Sequence, residues 1–124
     1  MQSLGRHALL DLHGCDPELL KDTRFLQDLF KQTAVDLSCT VIEEVFHTFS
    51  PYGVSGVVVI AESHLAIHTW PEHGYAAVDL FTCNETTELA RLAEILKQRM
   101  GASEIRYREE ARGVLPPPRQ IAAV

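Results

Sequence analysis

An α+β two-layer sandwich, an antiparallel sheet with two helices on one face, is the fold this sequence predicts, and three observations predict it. Two stretches, Asp22 to about Leu37 and Thr86 to Met100, repeat apolar residues at helical spacing. The strand-like segments between them are joined by links of hairpin length, which favours antiparallel pairing. Val57, Val58, Val59 and Ile60, with Ala76, Ala77 and Val78, place apolar side chains at both parities, so both sheet faces are apolar in places. Two helices cover one face only. A second copy is the simplest cover for the other, and the expected assembly is a homodimer with its sheets facing, a four-layer αββα arrangement.

Gly5 to Cys15 reads as a first strand, rich in leucine (Leu9, Leu10, Leu12) and closed by Gly14 and the turn pair Asp16-Pro17. In the first helix Phe25, Leu26, Leu29, Phe30 and Ala34 line one side, with Asp22 or Thr23 as N-cap. Thr40 to Phe49 is rich in β-branched and aromatic residues and stops at the turn cluster Ser50-Pro51-Tyr52-Gly53. Val54 to Ile60 is a continuous apolar strand. Leu65 to Thr69 is β-like until Pro71 breaks it, and Tyr75 to Phe81 alternates as a further strand. Leu89, Leu92, Ala93, Leu96 and Met100 form the apolar side of the second helix, with Gly101 as its C′ residue. Glu104 to Arg108 is a final strand. Residues 1–113 make one domain, and from Val114 through Leu115, Pro116, Pro117 and Pro118 the remainder, 114–124, is expected to be an extended, poorly ordered tail.

A chain of 124 residues has room for one core, and 46% apolar with 23% charged residues is ordinary globular composition. The net charge of −6 disfavours nucleic acid and anionic membrane as partners. No apolar run approaches the roughly 20 residues of a membrane span, and the N-terminus has no signal-peptide pattern, so a cytoplasmic location is expected. Cys15, Cys39 and Cys83 are odd in number, widely spaced and free of any CxxC, which suggests neither a disulfide framework nor a cysteine metal site.

The densest reactive segment, Glu62-Ser63-His64-Leu65-Ala66-Ile67-His68-Thr69-Trp70-Pro71-Glu72-His73, follows the most apolar strand. A hydroxyl, carboxylates and three imidazoles there are costly unless satisfied or used. A zinc site from His64 and His68 at i,i+4 spacing needs a helix, whereas the composition is strand-like; no metal is expected. A serine hydrolase using Ser63, His68 and Asp79 lacks its GxSxG, because Gly53-Val54-Ser55-Gly56-Val57 misses the last glycine. Trp70 belongs more naturally to the core than to a ligand site.

The run Glu62-Ser63-His64-Leu65, Ile67-His68-Thr69-Trp70-Pro71-Glu72, Gly74-Tyr75-Ala76-Ala77 and Asp79-Leu80-Phe81-Thr82-Cys83, preceded by Ser3-Leu4-Gly5-Arg6-His7, Phe46-His47, Phe49, Pro51 and Gly53 to Ile60, resembles the short prokaryotic S-adenosylmethionine decarboxylase proenzymes. The resemblance spans residues 3–83. It implies a self-processing, pyruvoyl-dependent decarboxylase that needs no metal. The chain would cut itself between Glu62 and Ser63 into a β chain, 1–62, and an α chain, 63–124, leaving on residue 63 a pyruvoyl group that forms a Schiff base with the substrate amine. By the same resemblance His68 is the processing base and Ser55 its helper. Cys83 is the proton donor, Phe49 stacks on adenine and Glu72 binds the ribose. Ser63 and Cys83 would come from one protomer and the other groups from its partner. The product would be the aminopropyl donor for spermidine and other polyamines. Alternatives are a pyruvoyl decarboxylase of ornithine or arginine on the same scaffold, and a dimeric binding module that never cuts itself. Asn84 stands where the family carries glycine, a position where asparagine tolerates left-handed backbone. No role is implied for His64, His73, Cys15 or Cys39.

Overall fold

A computed structural model describes residues 3–116; the rest of the expected tail, 117–124, lies outside the described residues. The strands are β1 (Ser3–His13), β2 (Val41–Thr48), β3 (Val54–Ile60), β4 (Ser63–Trp70), β5 (Tyr75–Thr82) and β6 (Glu104–Val114), and the helices α1 (Pro17–Lys21), α2 (Thr23–Asp36) and α3 (Leu89–Met100). All six strands form one antiparallel sheet in the order β2-β3-β4-β5-β1-β6. The α+β expectation therefore holds. The N-terminal strand lies inside the sheet, between β5 and β6, which sets Arg6 opposite Thr82.

Among the described residues three α-helices, with a short 3-10 turn at Pro71–His73, stand where two helices were expected. The pair Asp16-Pro17, read as a turn, starts α1: Asp16 accepts from the backbone N–H of Glu18 at 2.9 Å, and proline occupies the first turn, where its missing N–H does no harm. Asp22 then caps α2 by accepting from the N–H of Phe25 at 3.0 Å. The third helix begins at Leu89 rather than Thr86, because the preceding residues are taken up in turn bonds, among them Leu89 N–H to the Thr87 carbonyl. Gly101 ends it with φ +68°, as its place in the sequence requires. The last strand runs to Val114, six residues past the expected Arg108, paired along β1.

Strand alternation sends one set of side chains to the helices. Val58, Ile60, Leu65, Ile67, Val78 and Leu80 are buried there against Leu26, Phe30, Leu92 and Leu96. Each fully buried leucine or phenylalanine of this layer contributes about 1.5–3 kcal/mol. Gly56 belongs to the same set because the Phe46 ring lies across it, in the space a Cβ would need. The opposite face carries Val45, Val57, Val59 and Trp70, all exposed in the single chain. Among the described residues no helix is long and apolar enough to cross a membrane.

Candidate active site

The residues singled out by sequence fall into two groups at opposite ends of β4. At its start, Ala61 and Glu62 form a two-residue link, with Ile60 paired to Ser63 across the hairpin. Glu62 takes a left-handed conformation, φ +59°, without being glycine, which costs about 1–2 kcal/mol and falls at the peptide before Ser63. Ser63 Oγ donates to Thr82 Oγ1 at 3.0 Å, and the buried Thr82 also accepts from the N–H of Asn84 at 3.0 Å. Cys83 follows directly, exposed, beside an open cavity of about 240 Å³ that Gly5, Arg6 and Glu85 help to line. Gly5 leaves room for the Phe81 ring, whose tip would lie 2.5 Å from a Cβ.

The loop after Cys83 is tied down twice. Arg6 Nη1 donates to the carbonyls of Glu85 at 3.2 Å and Thr87 at 3.0 Å, while its Nη2 meets Glu109 at 3.1 Å. Asn84 closes the turn through its side chain, Oδ1 accepting from the N–H and hydroxyl of Thr86 at 2.9 and 2.7 Å. The left-handed backbone that asparagine would tolerate is not used: among the described residues only Ser38 and Glu62 have positive φ without being glycine.

At the other end of β4, His68 Nδ1 is hydrogen-bonded to Ser55 Oγ at 2.8 Å, directly across the β3–β4 ladder. Thr69 fixes this strand end, accepting from the N–H of Val54 at 2.9 Å and donating to the Leu20 carbonyl at 2.8 Å. Phe49, Ser55, His68, Trp70 and Glu72 line a cavity of about 340 Å³. Trp70 is not a core residue: it is 41% exposed and lies against Tyr75, ring centroids 5.4 Å apart.

One chain does not bring Ser63 and His68 together. They are five residues apart on an extended strand, roughly 17 Å at about 3.3 Å per residue. They also differ in parity. Ser63 pairs with buried Ile60 and Thr82, whereas His68 pairs with Ser55 and Ala77 on the face away from the helices. The same geometry removes the two alternatives weighed above. His64 and His68 lie on a strand, too far apart to share an ion, and Asp79 bonds to His64 and His7, not His68.

That last contact belongs to a network the sequence reading missed. Asp79 Oδ2 accepts from His64 Nε2 at 2.7 Å and from His7 Nε2 at 2.9 Å, and Arg112 Nη1 donates to His7 Nδ1 at 2.9 Å. A guanidinium only donates, so His7 accepts through Nδ1 and carries its hydrogen on Nε2. The three atoms facing one another, two Nε2 and Oδ2, lie within 4.8 Å. A cation there would need the Nε2 lone pairs, and Arg112 holds His7 in the tautomer that lacks one. Thr82, Arg6 and Thr69 were likewise missed. Only the strand register reveals them, since His7, Asp79 and Arg112 are far apart in sequence.

A family model described as S-adenosylmethionine decarboxylase matches residues 6–113. The S-adenosylmethionine decarboxylase proenzyme of Moorella thermoacetica is 48% identical over 124 residues, covering all of this chain and 98% of that protein. The one from Thermotoga maritima is 48% identical over 113 residues, 91% of this chain and 87% of that one. Among solved structures, adenosylmethionine decarboxylase from Aquifex aeolicus superposes with a TM-score of 0.85 at 29% identity, over the full length of both chains.

Proposed function

The chain belongs to the S-adenosylmethionine decarboxylase family, and we propose that it performs that reaction as a self-cut homodimer, each site built from both copies. The activity is removal of carbon dioxide from S-adenosylmethionine, giving the aminopropyl donor of polyamine synthesis. The family match favours this over ornithine or arginine as substrate, and an enzyme over a binding module. The relatives are named as proenzymes, which supports a cut before Ser63.

In the proposed cut, Ser63 Oγ attacks the carbonyl carbon of Glu62. The C–O bond forms as the peptide C–N bond breaks, leaving an ester and a free amine on residue 63. A base takes the α-proton of residue 63, the Glu62 carboxylate departs as the new chain end, and water releases ammonia to leave a pyruvoyl group. The left-handed Glu62 supports this reading, because breaking that peptide relieves the strain it holds. Residue 63 suits such a group: it lies at a hairpin end, paired with Thr82, which with Cys83 lines an open cavity. The group supplies an electron-withdrawing carbonyl that draws on the bond to the leaving carboxylate.

The protein's own residues do the rest. His68 is the processing base: its Nδ1 is held by Ser55 Oγ, and in the tautomer with the hydrogen on Nδ1 its Nε2 has the lone pair that takes the proton. Cys83 delivers a proton to the substrate α-carbon. Phe49 offers an aromatic face to adenine, and Glu72 two acceptor oxygens to the ribose hydroxyls. The observation that carries the shared site is the separation of Ser63 from His68 along β4. Their midpoint falls at Leu65 and Ala66, and Ala66 is on the uncovered face. A two-fold axis near Ala66 sets each residue-63 end over the partner's residue-68 end, and buries Val57 and Val59 between the sheets.

Mixed dimers test this. Cys83→Ala and Glu72→Ala chains, each inactive alone, should on random mixing regain about a quarter of wild-type carbon dioxide release, since half the dimers carry one intact site of two. No recovery despite proven heterodimers contradicts the shared site. Release from S-adenosylmethionine should also far exceed release from ornithine or arginine.

A further inference from the structure

The network of His64, Asp79, His7 and Arg112 lies on the face away from the helices and bridges four neighbouring strands, β4, β5, β1 and β6. Nothing in the decarboxylation or the cut uses it, yet His64 is the first residue after Ser63. We propose that this network is a splint: it holds the new end of β4, and with it residue 63, in register beside Cys83 once the link to β3 has been broken. His64, Asp79 and His7 are thus positioning residues, and the inference rests on the cut before Ser63.

Before the cut, the start of β4 is held by the Ala61-Glu62 link, the ladders to β3 and β5, and the bond from Ser63 Oγ to Thr82 Oγ1. The cut severs the link, and the Ser63 oxygen leaves with the Glu62 carboxylate, so the donor of the bond to Thr82 is lost. A free strand end held by its backbone ladders alone frays at its last residues. The side-chain bond that survives nearest the break is His64 Nε2–H to Asp79, at 2.7 Å and to an ionised acceptor, the stronger class of hydrogen bond.

Asp79 is itself held. His7 donates to the same oxygen, and Arg112 fixes His7 in the tautomer able to do so. The Phe81 ring packs against both imidazoles, with centroids 5.5 Å from His7 and 6.2 Å from His64. Phe81 is paired with both histidines in the ladder and stands two residues before Cys83. His7 lies in the 1–62 fragment, and Asp79, His64 and Arg112 in the 63–124 fragment, so the network also joins the two products of the cut.

The test compares Asp79→Asn, His64→Ala and His64→Gln in two backgrounds: the normally processed dimer, and the same proteins carrying Ser63→Ala so that the chain stays whole. Asn at 79 turns one acceptor oxygen into a donor, while Gln at 64 retains an N–H. Wild type must first show the cut before Ser63; an uncut wild-type chain defeats the reading beneath the proposal and is seen separately. In cut protein, amide exchange over residues 64–66 should rise about tenfold or more in Asp79→Asn and His64→Ala, the size expected for losing one hydrogen bond to a charged group. It should rise far less in the uncut background. The cut variants should lose kcat with KM nearly unchanged, and His64→Gln should restore both exchange and kcat. Equal exchange in cut and uncut variants, unchanged exchange in the cut ones, or no rescue by Gln would overturn the splint.

Discussion

At the residue scale the proposed chemistry rests on Ser63 and Cys83, and their replacements should fail differently. Ser63→Ala removes the attacking oxygen, so the chain should remain whole. Cys83→Ala should still be cut at least in part, while turnover falls about a hundredfold or more, as for loss of a positioned proton donor. Fragment analysis together with carbon dioxide release separates the two, and full activity in Cys83→Ala would take the thiol out of the reaction. Both residues were singled out in the sequence by the run around Ser63 and the Phe81-Thr82-Cys83 ending, which follow one continuous pattern. Thr82 and Asp79 were not legible in their roles. Their partners Ser63, His7 and His64 come from other strands, and only the register shows that they touch. Trp70 was misjudged because strand parity puts it on the face without helices.

Among the elements, the hairpins and the two long helices follow from turn chemistry and apolar spacing. The short α1 did not, since Asp-Pro opens turns and helices alike and five residues show no period. Nor did the seating of β1 inside the sheet, which depends on pairings between residues 64 to 111 apart. Gly56 reports on the β2–β3 pair. Gly56→Ala should cost about 1–3 kcal/mol of stability in denaturant unfolding, because the Phe46 ring must leave its place over the strand; an unchanged midpoint would mean the ring does not lie there. Cys15, in the connection from β1 to α1, is 3% exposed, and burial pushes its thiol from the ordinary value near 9 up to about 11. The unfolded thiol ionises first as pH rises, so this contribution is whole below pH 9 and is lost between pH 9 and 11. Unfolding midpoints at pH 8 and 10.5 should therefore fall less steeply for Cys15→Ala than for wild type. Equal slopes would show that the thiol is not shielded.

For the whole molecule, the proposed two-fold dimer would account at once for the uncovered sheet face and for the separation of the proposed site residues along β4. One chain has a helical layer for one side of its sheet, and the proposed site residues fall at the two ends of β4. Apolar residues of both parities signalled the uncovered face from sequence alone, whereas the 17 Å separation, roughly five residues at strand rise, became visible only once Ser63 to Trp70 was known to be one strand. The proposed dimer, site and splint all rest on the proposed breaking of a single peptide bond. The intact mass of the freshly purified protein, before and after a carbonyl-trapping amine, tests that event most directly. The account predicts two fragments, 1–62 and 63–124, the second lighter by one ammonia than a serine-ended chain and gaining one molecule of the amine. One unbroken chain of 124 residues, or a 63–124 fragment that begins with serine and takes up no amine, would contradict it.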